Sequence, residues 1–182
     1  MSLYYLQKLI NEGEHQQLDF KFEISDSKKI ARTVVAFANT DGGKLLIGVK
    51  DNGSVAGIRY EEEYYMLEAA AEMYCRPSVP FESVEWNIDG KRILEVTIPK
   101  SDKPPHYAPD KNGKWKAYLR VDDQNLLAND VLIKVWKRRR KKTGVKLHYT
   151  DTERKLLSYL EDNHSITLTR FCKIAGIKRF LA

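Results

Sequence analysis

The 182-residue chain is 42% hydrophobic and 31% charged, which suits a packed core and excludes a disordered polyelectrolyte. Its formal net charge of +6 and sequence pI of about 9.2 favour an anionic partner, nucleic acid being the commonest, over a basic protein with no such partner. No apolar run approaches the roughly 18–20 residues that cross a bilayer, so no membrane association is expected.

The start, Met1 to Gln7, reads as an amphipathic helix opening without a signal peptide, which points to the cytoplasm. That helix covers about 2–12, with Leu3, Leu6, Leu9 and Ile10 on one face and Gly13 at its end. Residues 17–23 alternate polar and apolar and predict a half-buried strand. Ser25-Asp26-Ser27 supplies an N-cap for a helix over about 27–39. Gly42-Gly43 follows. It fits neither GxGxxG nor a P-loop, so it predicts positive-φ geometry and close helix–strand packing. Residues 44–50 form a central apolar strand, and Asn52-Gly53 turns into a second strand over 54–58.

A further helix is predicted over 61–75, its apolar side made by Tyr64, Leu67, Ala70, Ala71 and Tyr74. Strands 81–88 and 91–98 flank Asp89-Gly90, a strong hairpin signal. A proline-rich loop leads to a strand from Lys114 to Val121, then to a helix over 127–140. A dense basic run follows: Lys134, Lys137, Arg138, Arg139, Arg140, Lys141, Lys142 and Lys146. The expected domains are 1–142, a basic linker over 143–149, and a tail over 150–182. In the tail, Thr150 or Asp151 caps one helix, Thr167-Leu168-Thr169 caps a second, and Gly176 ends it before a third begins at Ile177. This is a partial helix-turn-helix pattern. Cys75 and Cys172 lack metal or redox spacing and read as reduced, buried thiols.

Several motifs resemble one family. Glu14 precedes Asp19-Phe20-Lys21 by five residues. Then come Ala36-Phe37-Ala38-Asn39-Thr40-Asp41-Gly42-Gly43 and Leu46-Ile47-Gly48-Val49-Lys50-Asp51, with Gly53 and Gly57. Pro105-His106-Tyr107 and Tyr118-Leu119-Arg120-Val121 with Asn125 match its late strand region. The chain resembles the Schlafen/AlbA-like domain of bacterial regulators and animal Schlafen proteins, over 12–58 and more weakly 59–130. The resemblance implies an α+β fold, a mixed or antiparallel sheet with packed helices, here followed by a short helical tail like a winged-helix segment. It implies nucleic-acid binding, in a bacterial setting as a DNA-binding transcriptional regulator.

Some animal members cleave RNA with three acidic residues, whose positions match Glu14, Asp19 and Asp51 here. The second is usually Glu, so Asp19 shortens the reach. Three converging carboxylates would hold Mg²⁺ or Mn²⁺ and polarise a phosphate. The animal nuclease uses two fused copies, so one copy would act as a homodimer. Plain roles compete: Asp51 bonding turn amides, Glu14 solvated, Asp19 paired with Lys21.

Three functions therefore stand. The leading one binds DNA or RNA through Lys114, Lys116, Arg120, Lys137, Arg138, Arg139, Arg140, Lys141 and Lys142, without cofactor or catalysis. The second is a metal-dependent endoribonuclease using the acidic trio. The third is a protein-interaction or ligand-sensing module. Trp136 either stacks on a base or anchors the core beside Val131, Leu132 and Val135.

Overall fold

The computed structural model describes residues 3–140 and 149–181. The chain divides into two compact units, Met1–Lys141 and Lys142–Ala182. Lys141, Lys142 and Lys146 of the basic run, and all of the expected linker except Tyr149, lie outside the described residues.

The first unit runs α1 (Leu3–Glu12), β1 (Leu18–Lys21), α2 (Ser27–Asn39), β2 (Gly43–Ile47), α3 (Tyr60–Met73), β3 (Glu82–Ile88) and β4 (Lys91–Ile98). Then come β5 (Ala108–Pro109), β6 (Trp115–Lys116), β7 (Tyr118–Val121), β8 (Gln124–Leu127) and α4 (Asp130–Arg139). The main sheet has the order β1-β2-β4-β3. β1 and β2 are parallel, and the other neighbours are antiparallel. A parallel pair needs a crossover, and α2 is that crossover. The fold is α+β with a mixed sheet and packed helices, as the family resemblance implied.

Strand periodicity sorts the core onto two faces. Leu45, Ile47, Leu94, Val96 and Ile98 meet α2 and α3 through Val34, Val35, Phe37, Leu67 and Ala70. Leu46 and Ile93 point the other way, to Leu6, Leu18, Phe20 and Trp86. α2 is buried on nearly every side, from Ile30 to Asn39 with the exception of Arg32. The Asp26 carboxylate starts it, accepting from the Lys28 and Lys29 amides. The double glycine ends the turn beyond it. Gly42 has φ +70°, and a Cβ there would sit 2.7 Å from Lys100 N. A Cβ on Gly43 would sit 2.6 Å from the Phe37 ring. Both roles expected of this pair are present.

Three elements depart from expectation. The strand expected over 54–58 reduces to one bridge, Val49 with Val55. The strand expected from Lys114 to Val121 breaks at Ala117, because β6 pairs with β5 and β7 with β8. The β7–β8 turn uses Asp122 at φ 54°, a left-handed position without the Asn-Gly or Asp-Gly signature. The last helix starts late because Leu127 pairs with Tyr118, leaving Asn129 to cap α4 by accepting from Leu132 N at 2.8 Å.

The second unit holds α5 (Asp151–Asp162), α6 (Leu168–Ala175) and a 3₁₀ turn, Arg179–Leu181. Thr150 and Glu153 form a reciprocal capping box, Thr167 caps α6, and Gly176 closes it in the left-handed conformation. The third helix expected from Ile177 is represented by the 3₁₀ turn. Among the described side chains of this unit, only Ala175 is buried. No helix among the described residues is long and apolar enough to cross a membrane.

Candidate nucleic-acid interface

The acidic candidates separate by environment. Asp19 lies on β1, facing α2, and is 3% exposed. Its Oδ1 accepts from Arg120 Nη2 at 3.0 Å. Its Oδ2 makes no hydrogen bond of good geometry, yet lies 2.8 Å from Lys21 Nζ as an ion pair. Glu14 Oε1 accepts the Phe20 amide at 2.8 Å and lies 3.9 Å from the same ammonium. Burial pushes the Glu14 carboxyl above its ordinary range; the Phe20 amide pulls it back, and the Asp19 carboxylate adds to the rise. Glu14 and Asp19 thus meet around Lys21. Asp51 does not join them. It is exposed on the Lys50–Gly53 turn, where Asn52 rather than Asp51 bonds the Ser54 amide and hydroxyl.

Among the described residues, no three His, Cys, Asp or Glu side chains are grouped as a metal ion requires. The fit to Mg²⁺ or Mn²⁺ is poor for a chemical reason as well. The inward oxygens of Glu14 and Asp19 already face an amide, a guanidinium and an ammonium, which a cation would have to displace.

Arg120 requires a correction. Expected as a surface phosphate contact, it is 2% exposed. Besides Asp19, its guanidinium donates to the carbonyls of Asp122 and Leu18 and to Asn125 Oδ1, and it lies 5.1 Å from the Phe37 ring centre. Alternation along β7 turns it inward, between two exposed or half-exposed neighbours. It is an internal cross-brace, unavailable to an external phosphate.

The other described basic candidates are on the surface. Lys114 and Lys116 are exposed on either side of Trp115. The Arg76 guanidinium lies 4.0 Å over the Trp115 ring, a pair that no periodicity in the sequence disclosed. Lys134, Lys137, Arg138, Arg139 and Arg140 are all exposed at the end of α4. The only acid on that helix is Asp130, in its first turn. Its charges therefore complement the helix dipole and still project outward. Trp136 is 8% exposed, the one buried side chain of α4.

Three polar residues were not singled out as site residues by the sequence, although two belong to its motifs. Buried Asn39 donates to the carbonyls of His106 and Tyr118 and accepts the His106 amide at 2.7 Å. His106 is buried with Nδ1 2.9 Å from the Pro77 carbonyl and Nε2 2.7 Å from Ser101 Oγ. A carbonyl only accepts, so Nδ1 carries the proton and Nε2 receives the serine hydroxyl. Burial, and then the Arg140 charge, hold this imidazole below its ordinary value. Gln16 donates to the Arg120 carbonyl and accepts the Asp122 amide at 2.8 Å, tying the entry of β1 to the β7–β8 hairpin. Asn39 and His106 carried the signal of polarity among apolar neighbours, which spacing alone cannot resolve into partners, and Gln16, in the polar run Glu14 to Gln17, carried none.

A family model described as Schlafen, AlbA_2 matches residues 14–129. Among solved structures, the chain is similar to the DIP2311 protein from Corynebacterium diphtheriae, with a TM-score of 0.54 and 18% identity. That alignment covers 79% of this chain and 32% of that one, so the chain spans about a third of the relative's length. It is also similar to the N-terminal domain of a protein described as RecG-related from Nitrosomonas europaea. There the TM-score is 0.42 and the identity 21%, covering 79% of this chain and 96% of that one. The first likeness is one of fold.

Proposed function

The chain belongs to the Schlafen, AlbA_2 family, and we propose that it binds nucleic acid, as a cytoplasmic DNA-binding transcriptional regulator, through phosphate contacts from an exposed cationic surface. The observation that carries this reading is the end of α4, where Lys134, Lys137, Arg138, Arg139 and Arg140 project into solvent with no acid after Asp130. Closely spaced cations release counterions together on a polyanion, which supplies affinity without sequence preference. Lys114 and Lys116 extend the cationic surface on β6. Sequence reading is assigned to the α5–α6 pair, whose outward Arg170 and Lys173 lie on the second helix of a helix-turn-helix arrangement. The proposal takes the chain as a homodimer, as a two-fold operator would require. Sedimentation of the intact protein tests that part.

Arg138, Arg139 and Arg140 are exposed, so replacing all three with Ala spares the core and removes from the fold's own contacts the bond from Arg140 to the Lys103 carbonyl. Each phosphate contact removed should lessen the slope of log K against log salt by about 0.9 on duplex DNA. Fluorescence anisotropy over a salt series measures it. A loss of two or three such increments supports the reading, and unchanged affinity and slope would refute the role of α4.

A further inference from the structure

Two cavities share the loop from Lys100 to Asp102 as a wall. One, of about 890 Å³, opens between the Pro77–Pro80 turn, Pro99, His106 and the end of α4. The other, of about 390 Å³, is walled by Pro104, Leu119, Leu132 and Trp136. Lys100, Ser101, Asp102, Arg139 and Arg140 border both, and Lys103 borders the larger. Both volumes fall in the range of small-ligand sites.

We infer that this double cavity binds a phosphate monoester, carried by a nucleic-acid 5′ end or by a free mononucleotide, with Lys100, Lys103, Arg139 and Arg140 supplying the counter-charge. The inference rests on the nucleic-acid reading for the first source and deepens it by naming an end-binding subsite.

Charge decides the ligand class. Four cations border the two chambers against two acids, Asp41 and Asp102. Asp41 is held by Lys100 at 3.1 Å. The excess of two positive charges matches a phosphate monoester, which carries close to two negative charges at neutral pH, better than an internal phosphodiester with one. Shape points the same way. An unbroken strand would lie across an open surface, whereas a concave site with a proline-walled end suits a terminus. The wall of Leu119, Leu132 and Trp136 offers apolar surface for the attached nucleoside.

The loop that carries two of the cations is fixed before any ligand arrives. Ser101 N donates to the Ala38 carbonyl at 2.8 Å. Ser101 Oγ accepts the Lys103 amide at 3.1 Å and sends its hydrogen to His106 Nε2. Arg140 Nη2 donates to the Lys103 carbonyl, joining the end of α4 to the same loop. A held loop loses little backbone freedom on binding.

The test uses the intact chain with a short single-stranded oligonucleotide bearing either a 5′-phosphate or a 5′-hydroxyl, together with adenosine 5′-monophosphate and adenosine. At one low salt concentration the 5′-phosphorylated strand should bind about tenfold more tightly than its 5′-hydroxyl counterpart, the scale expected of new charge-assisted hydrogen bonds. The double substitution Lys100→Ala and Lys103→Ala should erase that difference and leave binding of the 5′-hydroxyl strand unchanged. Competition by adenosine 5′-monophosphate but not adenosine assigns the site to mononucleotides as well; competition only by the phosphorylated strand restricts it to ends. Equal binding of both strands, with no binding of the mononucleotide, would overturn the inference while leaving the nucleic-acid reading standing. Binding of the mononucleotide without either strand would do the reverse.

Discussion

At the residue scale, the motifs that mark the family hold the molecule together more than they face outward. Asp19 and Arg120 sit 101 positions apart in the chain and close on each other at 3.0 Å inside the domain. Removing one partner strands a buried charge, so Arg120→Ala or Asp19→Ala should each cost about 3–5 kcal/mol in urea unfolding. The paired change Arg120→Met with Asp19→Leu should recover most of that loss. Equal, additive losses would mean that the two groups are not coupled. His106 gives a pH signature. Its native value lies below the ordinary 6.5, so below that pH the folded chain binds fewer protons than the unfolded one. The stability it contributes is complete above 6.5 and falls as pH drops towards the native value. Thermal melts between about pH 7.5 and pH 5 should show a steeper acid-side loss for the wild type than for His106→Gln. Parallel curves would contradict the neutral, buried imidazole. Glu14 and Glu63, both raised chiefly by burial, act in the opposite sense at lower pH, and comparison with the variant removes them.

At the element scale, the joint between α2 and β2 organises the domain. Gly42 approaches the backbone of Ile98 and Lys100, which cannot move aside as a side chain can. Gly42→Ala combines that clash with a left-handed φ and should cost at least about 1–3 kcal/mol. An Ala variant with unchanged stability would show that the joint has slack. This joint was legible in the sequence because an N-cap, an apolar helix, two glycines and an apolar strand each carry a local signal. α2 and the β3–β4 hairpin were legible for the same reason. The β7–β8 hairpin was not, since Asp122-Asp123 does not resemble a standard two-residue turn. The outward basic residues at the end of α4 could be read from charge spacing. The inward turn of Arg120 could not, because it depends on Asp19 arriving from a distant strand. The Asn39–His106–Ser101 chain was hidden for the same reason: its links join a helix end to a loop far along the sequence.

At the scale of the whole molecule, the net charge of +6 is unevenly spread. Two acids are spent on internal pairs, Asp19 with Arg120 and Lys21, and Glu95 with Lys44. The end of α4 keeps its cations exposed. That asymmetry is what a polyanion would meet first, and it should steer association strongly at low ionic strength. The most direct test is the equilibrium binding of the intact chain to duplex and single-stranded oligonucleotides across a salt series. The account predicts complexes in dilute buffer that weaken steeply and linearly in log K against log salt, with a slope equivalent to several phosphate contacts. Absence of any complex with either form at the lowest salt would contradict it.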